Sequence, residues 1–254
     1  MNKKRIIARI DVKNEFAIKG IHLEGLRKVG DPNKMAIKYY DDGVDEIIFM
    51  DAVAAYYDRN SLTDIINRAC KNVFIPITVG GGIRKIKDIQ IALNAGADKI
   101  AINTQAVRDP NFIKLSSEVF GSQCIVSSID AKKIAENKWE VYTDNGREPS
   151  GKDVVQWAKE VEMLGAGEIM LTSIDKEGTK KGFDIELYKA VSKVVTIPLI
   201  CCGGAGKKEH LVDVFLNTKI DAVALASLLH YNMEPINELK KHLTDNKILT
   251  RLCE

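Results

Sequence analysis

The stretch Asp98-Lys99-Ile100-Ala101-Ile102-Asn103-Thr104 returns 123 positions later as Asp221-Ala222-Val223-Ala224-Leu225-Ala226-Ser227. Each copy opens on an acid, runs through apolar residues on both faces, and closes on small or polar residues. A strand that is apolar on both faces belongs in a parallel sheet covered by helices. Spacings of 123 and 122 relate two further pairs of segments. Val79-Gly80-Gly81-Gly82-Ile83 aligns with Cys202-Gly203-Gly204-Ala205-Gly206, and Gly43-Val44-Asp45-Glu46-Ile47-Ile48 aligns with Gly165-Ala166-Gly167-Glu168-Ile169-Met170. Asp11 and Asp130, each closing an apolar run, lie 119 positions apart. The chain therefore reads as two similar halves, although small residues recurring at turns would produce a weaker form of the same pattern.

Outward from this repeat, eight apolar runs alternate with amphipathic stretches. The runs are Arg5–Val12, Asp45–Asp51, Pro76–Gly81, Lys99–Thr104, Cys124–Asp130, Glu168–Ser173, Pro198–Gly203 and Ala222–Leu229. The helical patterns are Asn33–Asp42, Ser61–Asn72, Lys87–Asn94, Asn111–Phe120, Lys152–Leu164, Asp184–Val194, Lys208–Leu216 and Ile236–Leu243, and several stop at a glycine. Eight strand-then-helix units in about 250 residues predict an α/β fold, a (β/α)8 TIM barrel with a twofold half-barrel repeat. A doubly wound open sheet is the alternative. No Gly/Pro/Ser-rich linker divides the chain, so residues 1–254 read as one barrel domain. One segment breaks the rhythm: Lys138-Trp139-Glu140-Val141-Tyr142-Thr143 alternates like a strand, and Asp144-Asn145-Gly146 follows as a turn. A hairpin inserted after the fifth barrel strand is expected.

Composition bounds the function. The chain is 45% hydrophobic and 28% charged, which excludes a disordered or fibrous protein. Lysine and arginine total 37 against 35 acids, a net charge of +2. That balance argues against a nucleic-acid binder, which needs a concentrated positive excess, yet allows a small anionic substrate. The five cysteines, Cys70, Cys124, Cys201, Cys202 and Cys253, form no C-x-x-C pair, and the histidines show no ligand spacing. No metal and no cofactor is expected, and neither nucleotide-binding glycine motif is present. No run reaches the roughly 18 apolar residues of a membrane span, so a cytoplasmic protein with reduced thiols is expected.

Strand C-terminal ends carry the chemistry in such barrels. Gly80–Gly82 and Gly203–Gly204 follow the third and seventh strands, where absent side chains let backbone N–H groups approach an anion. With Asn103-Thr104 and Ala226-Ser227 at the ends of the fourth and eighth strands, they predict two phosphate sites on opposite sides of one mouth. Asp11 and Asp130 end the first and fifth strands, which face each other across eight. Such a pair suits general acid–base work, and loop capping is the plainer role. Asp51 and Asp175 are weaker candidates for substrate hydroxyl contacts or for loop structure. Lys19 falls in a stretch of roughly 20 residues before the first helix, the length of a lid. It is expected either to reach a substrate phosphate or to be solvated.

The residues Arg5-Ile6-Ile7-Ala8…Asp11-Val12-Lys13, Lys19-Gly20, Gly30-Asp31-Pro32, Val79–Ile83, Asp98-Lys99…Ile102-Asn103-Thr104, Phe120-Gly121-Ser122-Gln123, Ile129-Asp130-Ala131-Lys132, Gly165–Ile169, Leu171-Thr172-Ser173-Ile174-Asp175…Gly178-Thr179 and Gly203–Gly206 closely resemble the cyclase subunits of imidazole glycerol phosphate synthase (HisF). The match runs in order along essentially the whole chain. It implies a barrel that works with a glutamine amidotransferase subunit (HisH-like), whose ammonia crosses the barrel. That ammonia converts a bisphosphorylated aminoimidazole carboxamide ribonucleotide into imidazole glycerol phosphate and aminoimidazole carboxamide ribonucleotide. The resemblance gives Asp11 and Asp130 the acid–base roles. Beside them, Lys19, Gly82, Asn103, Thr104, Thr172, Asp175, Gly203, Gly204, Ala226 and Ser227 are the candidates for holding the substrate and its phosphates. The resemblance assigns Arg5, Glu46, Lys99 and Glu168 to an ammonia gate, and Asp98 and Gln123 to the partner interface.

The chain departs from the family in three places. Arg9-Ile10 stands where the family usually has Cys-Leu, Cys201-Cys202 replaces a small pair, and His22-Leu23-Glu24-Gly25 stands in the first loop where the histidine enzymes carry an Asn-Phe-containing sequence. The loop change resembles a paralogous branch that delivers ammonia to a sugar in surface-polysaccharide synthesis, so that function stays open as an alternative, as does a non-catalytic barrel scaffold.

Overall fold

In the computed structural model of the chain, which describes residues 3–54 and 62–251, the first strand is held by neighbours from both ends of the sequence. Strand β1 (Arg5–Lys13) pairs in parallel with β12 (Ala222–Leu225) on one side and β4 (Glu46–Asp51) on the other. The ladder continues through β5 (Ile77–Gly80), β6 (Lys99–Ile102), β7 (Ile125–Ala135), β10 (Glu168–Ser173) and β11 (Leu199–Cys202), and β11 returns to β12. Eight parallel strands thus close into a barrel, as the repeat predicts.

Alternation along β1 sorts its side chains into two environments. Ile6, Ala8 and Ile10 pack outward with the helices, and Ile7 packs inward with Ile48, Ala101, Val126, Met170, Ile200, Ala222 and Ala224. The outer layer is the larger core and covers the outward face of the strands, while the inward cluster fills part of the lumen, so the runs are largely apolar on both faces. The helices are α1 (Pro32–Asp41), α2 (Thr63–Ala69), α3 (Ile86–Asn94), α4 (Thr104–Arg108), α5 (Asn111–Phe120), α6 (Val154–Met163), α7 (Ile185–Val191), α8 (Lys208–Asn217), α9 (Ser227–His230) and α10 (Ile236–Asp245). Asp31 caps α1 through the N–H groups of Asn33 and Lys34, with Pro32 at its first position. No helix among the described residues is long and apolar enough to cross a membrane.

Several boundaries differ from the sequence reading for local reasons. The eighth apolar run does not stay extended to Leu229: it ends at Leu225, and Ser227–His230 turn into α9. A buried helical turn and a buried strand show the same unbroken hydrophobicity, so periodicity could not separate them. Lys152 and Asp153 belong to a strand, and the Asp153 carboxylate caps α6 by accepting from the Gln156 N–H. The expected helix Ser61–Asn72 begins on a residue outside the described ones, and its described part is Thr63–Ala69.

The stretch after β1 is no irregular loop. Strands β2 (Phe16–Ile21) and β3 (Glu24–Gly30) form an antiparallel hairpin laid on the upper part of β1, with Asp11 opposite Ile18. The short apolar run Phe16-Ala17-Ile18, following Asn14 in a left-handed turn, carries this signal. The expected second hairpin is present as β8 (Lys138–Thr143) and β9 (Glu148–Asp153), continuing from β7. It is anchored where the buried Trp139 indole donates to Asp184 Oδ2 at 3.0 Å. Both half-barrels therefore extend their first strand into a hairpin above the mouth.

Candidate functional site

The glycine-lined ends of the third and seventh strands have the same cause and the same form. Gly81 has φ +97°, and a Cβ there would lie 2.3 Å from the Asp51 carbonyl oxygen; Gly204 has φ +114°, and a Cβ would lie 2.1 Å from the Gly182 carbonyl. Only glycine fits either position. Beside them the next strand ends match too: Asn103 (φ −120°, ψ −85°) leads into α4, and Ala226 (φ −126°, ψ −81°) leads into α9. Among the described residues no hydrogen bond engages the N–H groups of Gly82, Thr104, Gly204 or Ser227. Two matched recesses result. One is lined by Gly81, Gly82, Asn103, Thr104 and Asp130, the other by Gly203, Gly204, Ala226, Ser227 and Asp11. Unpaired N–H groups beside glycine suit phosphate oxygens.

Between the recesses lie the two carboxylates, both buried. Asp130 Oδ2 accepts from Asn103 Nδ2 at 3.0 Å, and the same amide donates to the Tyr142 carbonyl at 3.1 Å. Burial raises the Asp130 carboxyl to about 6; Arg9 opposes the rise, and Asp11 adds to it. Asp11 Oδ1 instead accepts from Arg9 Nε at 2.8 Å. The Arg9 guanidinium is itself buried and reaches across the lumen: its Nη1 donates to Thr172 Oγ1 at 3.0 Å and to Cys202 Sγ at 3.3 Å. Burial works against its charge, but Asp11 foremost, with Asp130, raises its pKa above the usual arginine value. Arg9 lines both recesses and so stands as the partition between them. Its weight was not legible in the sequence beyond its being unusual next to Asp11.

Lys19 is neither solvated nor free. It is buried in a hydrogen-bonded ion pair with Glu177, and its Nζ also donates to the Gly20 carbonyl at 3.1 Å. The other Glu177 oxygen accepts from the Leu23 N–H at 2.9 Å, and the Glu177 carbonyl accepts from the His22 N–H at 3.0 Å. Burial lowers the Lys19 pKa, as does Arg9. Glu177, which the sequence reading did not single out, thus clamps the β2–β3 hairpin over the Gly203–Ser227 recess. Leu23 is buried beside Ile174 and the Gly146 turn of the other hairpin.

Other expected contacts are engaged structurally. Asp175 Oδ2 accepts from the Lys133 N–H at 2.8 Å, and Asp51 Oδ1 accepts from the N–H groups of Val53 and Ala54. The Thr104 hydroxyl accepts from the Asp144 N–H at 3.0 Å.

At the opposite end of the barrel, four side chains form a closed ring of alternating charge. Arg5 binds Glu46 and Glu168 at 2.6 Å each, and Lys99 binds the same two carboxylates at 3.0 and 2.9 Å. Burial disfavours the Arg5 charge, but Glu168 and Glu46 together raise its pKa. Gln123, Arg5, Lys99 and Glu168 line a shallow groove beneath the ring. Asp98 is exposed there, but one of its oxygens already accepts from the Ile77 N–H at 2.8 Å, and its repeat partner Asp221 holds the Leu199 N–H in the same way. Phe74, Val119, Met163, Val194 and Leu216, in or beside the helix-to-strand turns of that end, are exposed apolar residues. Among the described residues no cluster of side chains could hold a metal ion.

Comparison with known proteins agrees with this geometry. Residues 5–234 match the family model described as histidine biosynthesis protein. The chain is 46% identical over 252 residues, 99% of its length and all of the relative, to the imidazole glycerol phosphate synthase subunit HisF of Bacillus cereus (strain ATCC 10987 / NRS 248). It is 57% identical over 210 residues, 83% of its length and 99% of the relative, to the subunit of the same name from Legionella pneumophila.

Proposed function

The chain belongs to the histidine biosynthesis protein family, and from that premise we propose that it is an enzyme, the cyclase subunit of an imidazole glycerol phosphate synthase. In this reading ammonia from a glutamine amidotransferase partner reacts with a bisphosphorylated aminoimidazole carboxamide ribonucleotide, giving imidazole glycerol phosphate and aminoimidazole carboxamide ribonucleotide. The observation that carries it is the pair Asp11 and Asp130, set on opposed strands between two matched glycine-lined recesses. One phosphate of the substrate sits against Gly82, Asn103 and Thr104, and the other against Gly203, Gly204, Ala226 and Ser227. The reacting centre then lies over the carboxylates. Ring closure requires one proton removed and one delivered, and Asp130, with a pKa near 6, is poised to exchange a proton near neutral pH. Lys19 joins the second phosphate once that anion displaces Glu177.

The far end supports the partner. A ring of four paired charges keeps water out of the apolar lumen at rest, and its opening lets a small neutral molecule pass. The exposed apolar residues around it, with Asp98 and Gln123, suit a docked amidotransferase subunit. The test is turnover by the purified chain with the bisphosphate ribonucleotide and an ammonium salt. Formation of imidazole glycerol phosphate is expected, and its absence with an intact fold overturns the reading.

A further inference from the structure

The half-barrel repeat pairs Asp11 with Asp130, both two residues beyond an inward-facing position: Arg9 in the first half, Ser128 in the second. It also pairs Ala226 with Asn103. The second carboxylate therefore meets a neutral amide, 3.0 Å away, and a serine below it on its own strand. The first meets a guanidinium at 2.8 Å, and its repeat counterpart of the amide is an alanine that cannot donate from its side chain. The two halves share a backbone and differ in charge at this one level. Arg9 does not depend on Asp11 for its place, because Thr172 and Cys202, on β10 and β11, hold its other nitrogen.

We propose that Arg9 is a positioning residue that makes the two carboxylates unequal: it holds Asp11 in an ion pair, so the proton delivered during turnover comes from Asp130 and the proton removed goes to Asp11. The inference rests on the reading of the two aspartates as the acid–base pair. Two buried carboxylates that act on each other without a cation between them have coupled titrations. A fixed guanidinium beside one of them breaks that equivalence. The charged and titratable groups around the pair are consistent with this. Arg9 and Asp11 on β1 are the charges that act on Asp130. Lys19 on β2 and His230 on α9 face Asp11 from the other side, with Lys19 already paired to Glu177. His230 is held below its usual pKa, to about 4, by burial and is neutral at working pH. Arg9 is thus the cation that approaches both carboxylates.

The experiment replaces Arg9 in the full chain by Ser, which copies the second half, and by Lys, which keeps the charge. Asp130 is followed by carboxyl carbon NMR across pH without substrate, and ammonium-driven turnover is measured alongside. In Arg9→Ser the Asp130 titration should move up from about 6 by about one unit, and the acid limb of turnover should move with it. Arg9→Lys should restore both to within about 0.3 unit, the residual expected once the like charge is retained. Should Arg9→Ser not fold, Arg9→Gln carries the same expectation. An Asp130 titration that stays in place when the charge is removed overturns the proposal. Undiminished turnover in Asp130→Asn overturns instead the acid–base reading, and the NMR titration still decides what Arg9 does.

Discussion

Asn103 Nδ2 donates to Asp130 Oδ2 at 3.0 Å, joining one candidate phosphate recess directly to one candidate catalytic carboxylate. Asn103 also lines that recess at the end of β6, so the recess and the carboxylate share one side chain.

Asp130→Asn and Asp11→Asn should each lower ammonium-dependent turnover by about 10²–10⁴-fold, the usual contribution of a positioned acid or base. KM should change less, because Asn keeps the shape and loses only the proton. Steady-state kinetics on folded variants checks this, and near-normal turnover in either one removes that residue from the mechanism.

The same substitution has a stability signature with a defined sign. The Asp130 pKa is raised from 3.8 to about 6 in the fold, so the native state binds the proton more tightly than the unfolded chain. Its favourable contribution is complete below pH 4 and is lost as pH rises through 6. Asp130→Asn removes the buried charge and should stabilise the protein above pH 6 by about 2–3 kcal/mol, with the difference closing toward pH 4. Denaturant melts at several pH values test it, and a variant less stable at pH 8 than the parent contradicts it.

Lys99→Met breaks the charge ring and leaves Glu46 and Glu168 to Arg5 alone. A buried pair broken on one side costs about 3 kcal/mol or somewhat less here, because the lysine is partly exposed. Glutamine-driven turnover with the amidotransferase present should fall more than ammonium-driven turnover. Equal losses in the two assays count against passage through the ring.

Glu177→Gln removes the charge that pins Lys19 while keeping an acceptor for the Leu23 N–H. The β2–β3 hairpin should open more often, and amide exchange at His22 and Leu23 should quicken about tenfold or more, equal to about 1.4 kcal/mol of local stability. Unchanged protection shows that the hairpin is held by the packing of Leu23 instead.

Soaking crystals with inorganic phosphate should place one anion beside Gly82 and Thr104 and another beside Gly204 and Ser227. The repeat predicts both, because the glycines and helix starts match in both halves. Anions found only elsewhere on the surface exclude the paired sites.

The barrel was legible from the chain because its signal is local and repeated. Doubly apolar strands, amphipathic helices and glycine turns recur at a fixed spacing, and each obeys rules that act over a few residues. Both glycine ends follow from where strands stop; Asp11 and Asp130, expected at strand ends, sit instead where the first and fifth barrel strands run on into their hairpins. The β2–β3 hairpin was the exception: its apolar run is short, and about half of its residues face solvent. What the linear order does not contain is which side chains meet. Lys19 and Glu177 are 158 positions apart, and Arg9 reaches Thr172 and Cys202 across 163 and 193. Closure of the barrel brings those strands together around one lumen, and only there does a buried guanidinium have to find carboxylate, hydroxyl and thiol partners. Periodicity fixes which face a residue is on; the charge it meets there depends on the other seven strands.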